Sequence, residues 1–324
     1  MRKLIVAVAL VGGLWGIESA AAQDWPTKSV TMVVPFAAGT GTDVLGRILA
    51  ERLTEYLGRQ VMIENVPGAG SMIGASRVAK ATPDGYQFVF GTSGAFAYNQ
   101  TLYKNPLYNA ATDFAPVALI AEAPFVLLGS KHLPVNNLQE FIAYSKENHV
   151  KMQYGSPGVG SSNHLACELL NSAIGVHVTH IPYRAGLPVS SQDLIAGRIH
   201  YMCLSAAAAL PLLGSTKPIA ILTRNRSPSI PDLLSAHEQG LINFDVGVWF
   251  AVFLPKNTPP PIIRKLHDTI LAAMNTPSFQ EQARQIGVDL VAPERRSPEY
   301  LQKFVESEID RWAAVMRAAG VTAQ

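Results

Sequence analysis

Apolar positions along this chain change period repeatedly, from the short continuous runs of buried strands to the three-and-four spacing of amphipathic helices. Ser29 to Val34 reads as a buried strand. It runs through Pro35-Phe36-Ala37-Ala38-Gly39-Thr40-Gly41-Thr42-Asp43 into a helix whose apolar side is Val44, Leu45, Ile48, Leu49, Leu53 and Tyr56, closed by Gly58. Gln60 to Glu64 and Tyr86 to Phe90 read as further strands, with Gly91-Thr92-Ser93-Gly94 turning after the second. The strand-loop-helix unit recurs at Met152 to Gly155. There Ser156-Pro157-Gly158-Val159-Gly160-Ser161-Ser162 leads into a helix carrying Leu165, Leu169, Leu170 and Ile174, with Gly175 at its end. Ser297-Pro298-Glu299 opens a long terminal helix with Tyr300, Leu301, Phe304, Val305, Ile309, Trp312 and Met316 on one side. This alternation predicts an α/β fold with largely parallel sheets, and no fixed-period repeat interrupts it.

The first 22 residues have a different composition. Met1-Arg2-Lys3 is a basic lead, Leu4 to Leu14 is apolar apart from glycine, and Ala20-Ala21-Ala22 offers the small residues a signal peptidase accepts. Residues 1–22 are therefore expected to be a cleaved export signal, placing the remainder in the periplasm. The apolar run is shorter than the roughly 20 residues that span a bilayer, and no cysteine near the cut suggests a lipid anchor. The whole chain has 324 residues and a formal charge of +2, which falls to +1 without Arg2, Lys3 and Glu18. That balance gives no support for nucleic-acid binding. About 300 residues suit two ordinary domains. Cys167 and Cys203, the only cysteines, are expected as buried thiols, because one sits in a helical pattern and the other in a strand-like run. An oxidising compartment permits a bridge between them.

The two glycine-rich loops carry the clearest chemistry. Each puts small residues between a strand's carboxyl end and a helix's amino end, where backbone N–H groups point outward and attract anions. One such loop in each of two domains would make a facing pair across a cleft. The alternative is that Thr42, Asp43, Ser161 and Ser162 simply cap helices. Neither loop matches G-x-x-x-x-G-K-[ST] or a complete G-x-G-x-x-G, which disfavours a nucleotide, and no G-x-S-x-G elbow supports a serine hydrolase. His164 and Glu168 lie four apart on the expected helix, but nothing nearby completes a metal shell, so they read as a helix-surface pair. Arg184 offers a planar fork suited to a carboxylate, or is a solvated loop arginine. No acid, base, nucleophile or metal set argues for an enzyme, and no cofactor or metal is expected.

Several motifs in order resemble one family. Pro35-Phe36-Ala37-Ala38-Gly39-Thr40 with Asp43, Glu64-Asn65-Val66-Pro67-Gly68-Ala69-Gly70, Pro83-Asp84-Gly85-Tyr86, Tyr154-Gly155-Ser156 through His164-Leu165, His180-Ile181-Pro182-Tyr183 and Trp249-Phe250 look like the Bug-type substrate-binding proteins of tripartite tricarboxylate transporters. The resemblance spans the chain from Trp25-Pro26 to the terminal helix. It implies a type II-like periplasmic binding protein, with two mixed α/β domains closing on a ligand across a hinged cleft. Residues 24–124 plus 248–324 would form the first domain and 125–247 the second. It also implies a monomeric receptor for a small organic carboxylate that docks on a membrane permease with a large and a small subunit. A role in presenting ligand to a sensor kinase would use the same sequence.

The positions matching the family's ligand-holding loops are Phe36, Ala38, Gly39, Thr40, Thr92, Ser93, Ser156, Gly160, Ser161 and Ser162, with Arg184 flanking them. One departure concerns the strand Ile199-His200-Tyr201-Met202-Cys203. Where the family often has an acidic residue and asparagine, this chain has Leu204-Ser205-Ala206. A leucine there leaves a ligand ammonium without a partner, so the ligand is expected to lack an amino group. It would be a di- or tricarboxylate, or an aromatic carboxylate packed on Phe36 or Phe96, although either ring equally suits the core.

Overall fold

The computed structural model describes residues 25–159, 161–183, 187–242 and 244–318. The expected signal peptide, Gly160 and Arg184 lie outside the described residues. The strands are β1 (Val30–Val34), β2 (Val61–Asn65), β3 (Gln87–Thr92), β4 (Phe114–Gly129), β5 (Gln153–Ser156), β6 (Thr179–Pro182), β7 (Tyr201–Ser205), β8 (Lys217–Ile221), β9 (Gly247–Pro255) and β10 (Asp289–Leu290). The helices are α1 (Gly41–Leu57), α2 (Met72–Ala79), α3 (Asn99–Leu102), α4 (Leu138–Asn148), α5 (Ser162–Ile174), α6 (Leu187–Ile195), α7 (Ala206–Ala209), α8 (Pro260–Met274), α9 (Pro277–Gln285) and α10 (Pro298–Ala318). Among the described residues no helix is long and apolar enough to cross a membrane.

The strands run in the order β2-β1-β3-β9-β4-β7-β5-β6, with β8 and β10 also pairing with β4. The outer pairs are parallel, as alternating strands and helices require, but every pairing made by β4 and β9 is antiparallel. The sheets are thus more mixed than the alternation predicts, because β4 runs from one into the other and β9 lies antiparallel between β3 and β4. β4 pairs with β9 as far as Pro124, opposite Gly247, and with β7 from Phe125, opposite Ser205. Proline has no N–H to give a ladder, so its position suits the point where β4 changes partner.

Alternation along the shared strands sorts their side chains. Phe125 and Leu127 of β4, with Tyr201 and Cys203 of β7, join the main apolar core. Val126, Leu128, Met202 and Leu204 point the other way, into a second cluster with Leu194 and Ile221. The main core continues under both sheets. It holds Phe88, Phe90 and Phe253 at one end and Tyr154, Leu165 and Leu170 at the other. Phe96 belongs wholly to it, stacked 4.0 Å from the Phe253 ring and edge-on to Phe114, so it is a core residue and no ligand platform.

Capping follows the sequence closely. Gly58 ends α1 at φ 65° and Gly175 ends α5 at φ 73°, the left-handed geometry that glycine adopts without a steric penalty. Along α1 the buried face is Leu45, Gly46, Leu49, Ala50 and Leu53, while Tyr56 is 51% exposed and leaves the stripe. Cys167 and Cys203 form a disulfide, with Cα atoms 5.5 Å apart, correcting the expectation of two thiols. The cause is geometric: Cys203 lies on the β7 face that α5 covers, and Cys167 is on the buried side of α5.

α10 packs against β4 and α5. Buried Glu308 accepts from the indole N–H of Trp249 at 3.1 Å and of Trp312 at 2.9 Å, and pairs with Arg311 at 2.9 Å. These donors supply the partners that a carboxylate needs when it leaves water.

Candidate functional site

A cavity of about 400 Å³ opens where the carboxyl ends of β1 and β3 meet the start of α5. The β1–α1 loop contributes Pro35, Phe36 and Ala37, and the end of β3 contributes Thr92, Ser93 and Gly94. Ser161 and Ser162 reach it from across the cleft, and Val248 comes from the start of β9. Two further segments complete the wall: Pro67, Gly68, Gly70 and Ser71 before α2, and Tyr98, Asn99 and Leu102. None of the described lining residues carries a charge.

Of the sequence-predicted residues, Phe36, Thr92, Ser93, Ser161 and Ser162 are therefore brought together on one cavity. Ala38, Gly39 and Thr40 follow Phe36 on the loop but do not line it. Ser156 is fully buried one layer behind Ser161. Leu204 has no exposed surface and packs into the second core, opposite Val126. Its side chain faces away from the cavity, so the argument that Leu204 offers the ligand apolar area is corrected. Ser205, beyond it, pairs with Phe125 and is absent from the lining. Gly160 and Arg184 are outside the described residues.

The first glycine loop is tied to its own helix. Thr40 caps α1, accepting from the Asp43 N–H at 3.4 Å. Asp43 accepts from the Gly39 N–H at 2.8 Å, from Arg47 at 2.9 Å and from Asn65 at 2.8 Å. Burial works to raise the Asp43 carboxyl, but hydrogen bonds from Arg47, Gly39 and Asn65 outweigh it and hold the group at about 2. Gly39 itself has φ 82° and open space where a Cβ would stand. Of the four residues expected as alternative caps, Thr42 and Asp43 lie inside α1, whose cap is Thr40, and Ser162 is the first residue of α5. The capping alternative is fulfilled at Ser161, which accepts from the His164 N–H at 3.2 Å.

The segment before α2 is backbone under strain. Gly68, Ala69, Gly70 and Ser71 all have positive φ, and Asn99 donates to the Gly70 carbonyl at 2.6 Å. Positive φ at Ala69 and Ser71 is unfavourable by about 1–2 kcal/mol each, and such strain gathers at ligand sites. The glycine motif at 67–70 could have pointed there, since it joins β2 to α2, but no helix is predicted after it from the sequence. Tyr98 and Asn99 leave no sequence signal at all. They are presented by a single π-helical turn, Gly94–Tyr98, a feature often found at functional sites.

Two buried hydroxyls in this wall, Ser93 Oγ and the Tyr98 phenol, meet each other only in a weak contact short of full hydrogen-bond geometry. Burial raises the phenol far above its ordinary range, and the contact with the Ser93 hydroxyl partly offsets that. A buried donor left unpaired is unfavourable by about 1–3 kcal/mol, and a ligand oxygen would relieve what the weak contact does not.

Behind Ser161 the second loop is backed by rings. His180 Nε2 lies 2.7 Å from Ser156 Oγ, and the His164 and His180 rings are 4.2 Å apart beside Tyr154. His164 is buried and its helix neighbour Glu168 accepts from the Tyr154 hydroxyl, so these residues are part of the interior and no surface pair. Burial lowers both imidazoles to about 4.

Comparison with known proteins places this geometry. The structure of the periplasmic binding protein BugD superposes with a TM-score of 0.74 at 36% identity, covering 93% of this chain and 100% of that one. MatC of Rhodopseudomonas palustris, with bound malate, gives 0.74 at 35% identity over 90% and 99% of the two chains. A second R. palustris protein, with adipate, gives 0.77 at 37% over 93% and 100%. These neighbours share the two-domain α/β architecture of periplasmic binding proteins. The model of the tripartite tricarboxylate transporter family receptors matches residues 45–321. With that match running from α1 through α10, the chain belongs to the tripartite tricarboxylate transporter family receptors.

Proposed function

We propose that the chain is a periplasmic receptor that captures a small organic carboxylate lacking an amino group and hands it to a membrane permease. The observation that carries this reading is the cavity between β1, β3 and α5. It pairs neutral hydroxyl donors and the start of a 13-residue helix with apolar Phe36, Leu102 and Val248. A helix start and several hydroxyls attract a carboxylate without a cation, each charge-assisted hydrogen bond contributing roughly 1.5–3 kcal/mol. Malate and adipate in two structural neighbours support the ligand class.

The domains we assign are 24–124 plus 248–324 and 125–247, and the change of β4 partner after Pro124 supports that division. Export through residues 1–22, action as a monomer and docking on a permease of two membrane subunits complete the proposal. Exclusion of an amino group rests on the lining as a whole, since no described wall residue is acidic. A thermal-shift screen over carboxylates, followed by calorimetry on succinate and aspartate, tests it. Succinate should bind at least about tenfold more tightly, a difference of about 1.4 kcal/mol. Equal binding overturns the selectivity, and no carboxylate response overturns the reading.

A further inference from the structure

The hydrogen-bond chain behind the second loop ends on an imidazole. Ser161, which lines the cavity, has its hydroxyl 2.8 Å from the Gly158 carbonyl and 3.4 Å from Ser156 Oγ. Ser156 lies 3.0 Å from the same carbonyl and accepts from the Gly158 N–H at 3.1 Å. Its remaining neighbour is His180 Nε2 at 2.7 Å. Each serine has one proton to give, so the state of the imidazole sets the direction of the chain. When Nε2 accepts, the Ser156 proton points to His180 and the Ser161 proton satisfies Gly158. When Nε2 carries hydrogen, Ser156 accepts from it and turns its own proton to Gly158. The Ser161 proton then shares a carbonyl already held by another hydroxyl, and turns more readily to an anion in the cavity.

We infer that His180 is a positioning residue for ligand capture, acting through Ser156 to aim the Ser161 hydroxyl at the anion, so that carboxylate binding draws a proton onto the imidazole. The inference rests on the carboxylate reading of the cavity. Among the described residues, the groups facing His180 are Tyr154 on β5 and, on α5, His164 with Glu168 behind the Tyr154 hydroxyl. The turn His149–Lys151 also packs against β6, where the His149 ring meets the His177 carbonyl. Without ligand, burial and the adjacent His164 keep His180 neutral, at about 4. An anion at Ser161 adds negative charge to the chain's outer end and favours the protonated ring.

The test titrates the intact mature chain with adipate, and with malate as a second probe, between pH 8 and 6, where carboxylates stay ionised. Affinity should rise by about threefold or more as pH falls, the sign linkage requires when binding takes up a proton. Calorimetry in buffers of different ionisation heat should show that uptake directly. Ser156→Ala, which leaves both imidazoles in place, should abolish the uptake and the pH dependence. His180→Leu should lower affinity by about tenfold at pH 6, the loss of one directed hydrogen bond. His180→Gln, whose amide still donates, should restore most of that affinity without the pH dependence. Melting curves confirm folding of each variant. A pH-independent affinity in the parent chain, or a pH dependence that survives Ser156→Ala, overturns the inference alone. Failure of the parent chain to bind either probe overturns the carboxylate reading, and the inference falls with it.

Discussion

Asp43 accepts the backbone N–H of Gly39 at 2.8 Å, so the first glycine loop spends that donor on its own helix. The same contact sets a prediction for acid stability. The Asp43 carboxyl is held at about 2 against an ordinary 3.8, and its side chain is 2% exposed. A lowered folded-state value contributes stability that is complete above the unfolded value and lost as pH falls through the folded one. Urea unfolding should therefore show about 2 kcal/mol lost between about pH 4 and pH 2. Asp43→Asn should lose a similar amount at pH 7 and flatten the profile in that window. An unchanged profile in the variant contradicts the assignment.

Substitution at Gly39 tests whether the loop fails by crowding or by strain. A Cβ there meets nothing within 4 Å, but φ is 82°. Gly39→Ala should cost about 1–2 kcal/mol of folding stability while leaving ligand affinity within a few-fold of the parent. Gly39→Val should be worse for stability. A large affinity loss in a fully folded Gly39→Ala variant would mean that the loop closes directly on the ligand.

Tyr98→Phe should separate stability from binding. Its buried phenol has only a weak contact with the Ser93 hydroxyl, so removing it should change the stability of the empty receptor by no more than about 1 kcal/mol. Carboxylate affinity should fall about five- to tenfold if the phenol meets the ligand. Thermal melts with and without ligand read both effects. A loss of several kcal/mol in the empty protein would show that the Tyr98 hydroxyl holds the fold and is not spare for a ligand.

The two serines at the start of α5 should behave differently. Ser161 is the N-cap, so Ser161→Ala should cost about 1 kcal/mol of stability as well as affinity. Ser162→Ala should change stability by no more than about 0.5 kcal/mol and act on affinity alone. Equal stability losses would remove the distinction.

The Cys167–Cys203 bridge closes a loop of sequence separation 36 between α5 and β7. Replacing both by serine should cost about 2–4 kcal/mol. Thiol titration of the unfolded, unreduced protein should find none free. Two reactive thiols would restore the original expectation.

The sequence made most of this legible where one local rule decides. Strand, glycine loop and capped helix at 30–58 and 152–175 follow from period and end signals, and the residues they present, Phe36, Ser161 and Ser162, do meet at the cavity. What escaped depends on neighbours far along the chain. Leu204 and Cys203 alternate on β7, yet only the position of α5 tells which faces the main core. Tyr56 continues the apolar stripe of α1 but lies beyond the surface the sheet covers. Tyr98 and Asn99 reach the wall through a π turn that no periodicity marks. The antiparallel pairing of β9 with β3 and β4 likewise joins strands from distant parts of the chain.

That last pairing orders events during synthesis. β9 lies between β3 and β4, and its Phe253 pairs with Val89. A nascent chain that has emerged only through β8 can assemble much of the second sheet but cannot close the first, whose middle strand has not yet been made. Pairings so distant in sequence are slow to form. The earlier-made half must therefore wait on the later one, and a truncation before residue 247 should leave β3 and one edge of β4 as open, adhesive strands.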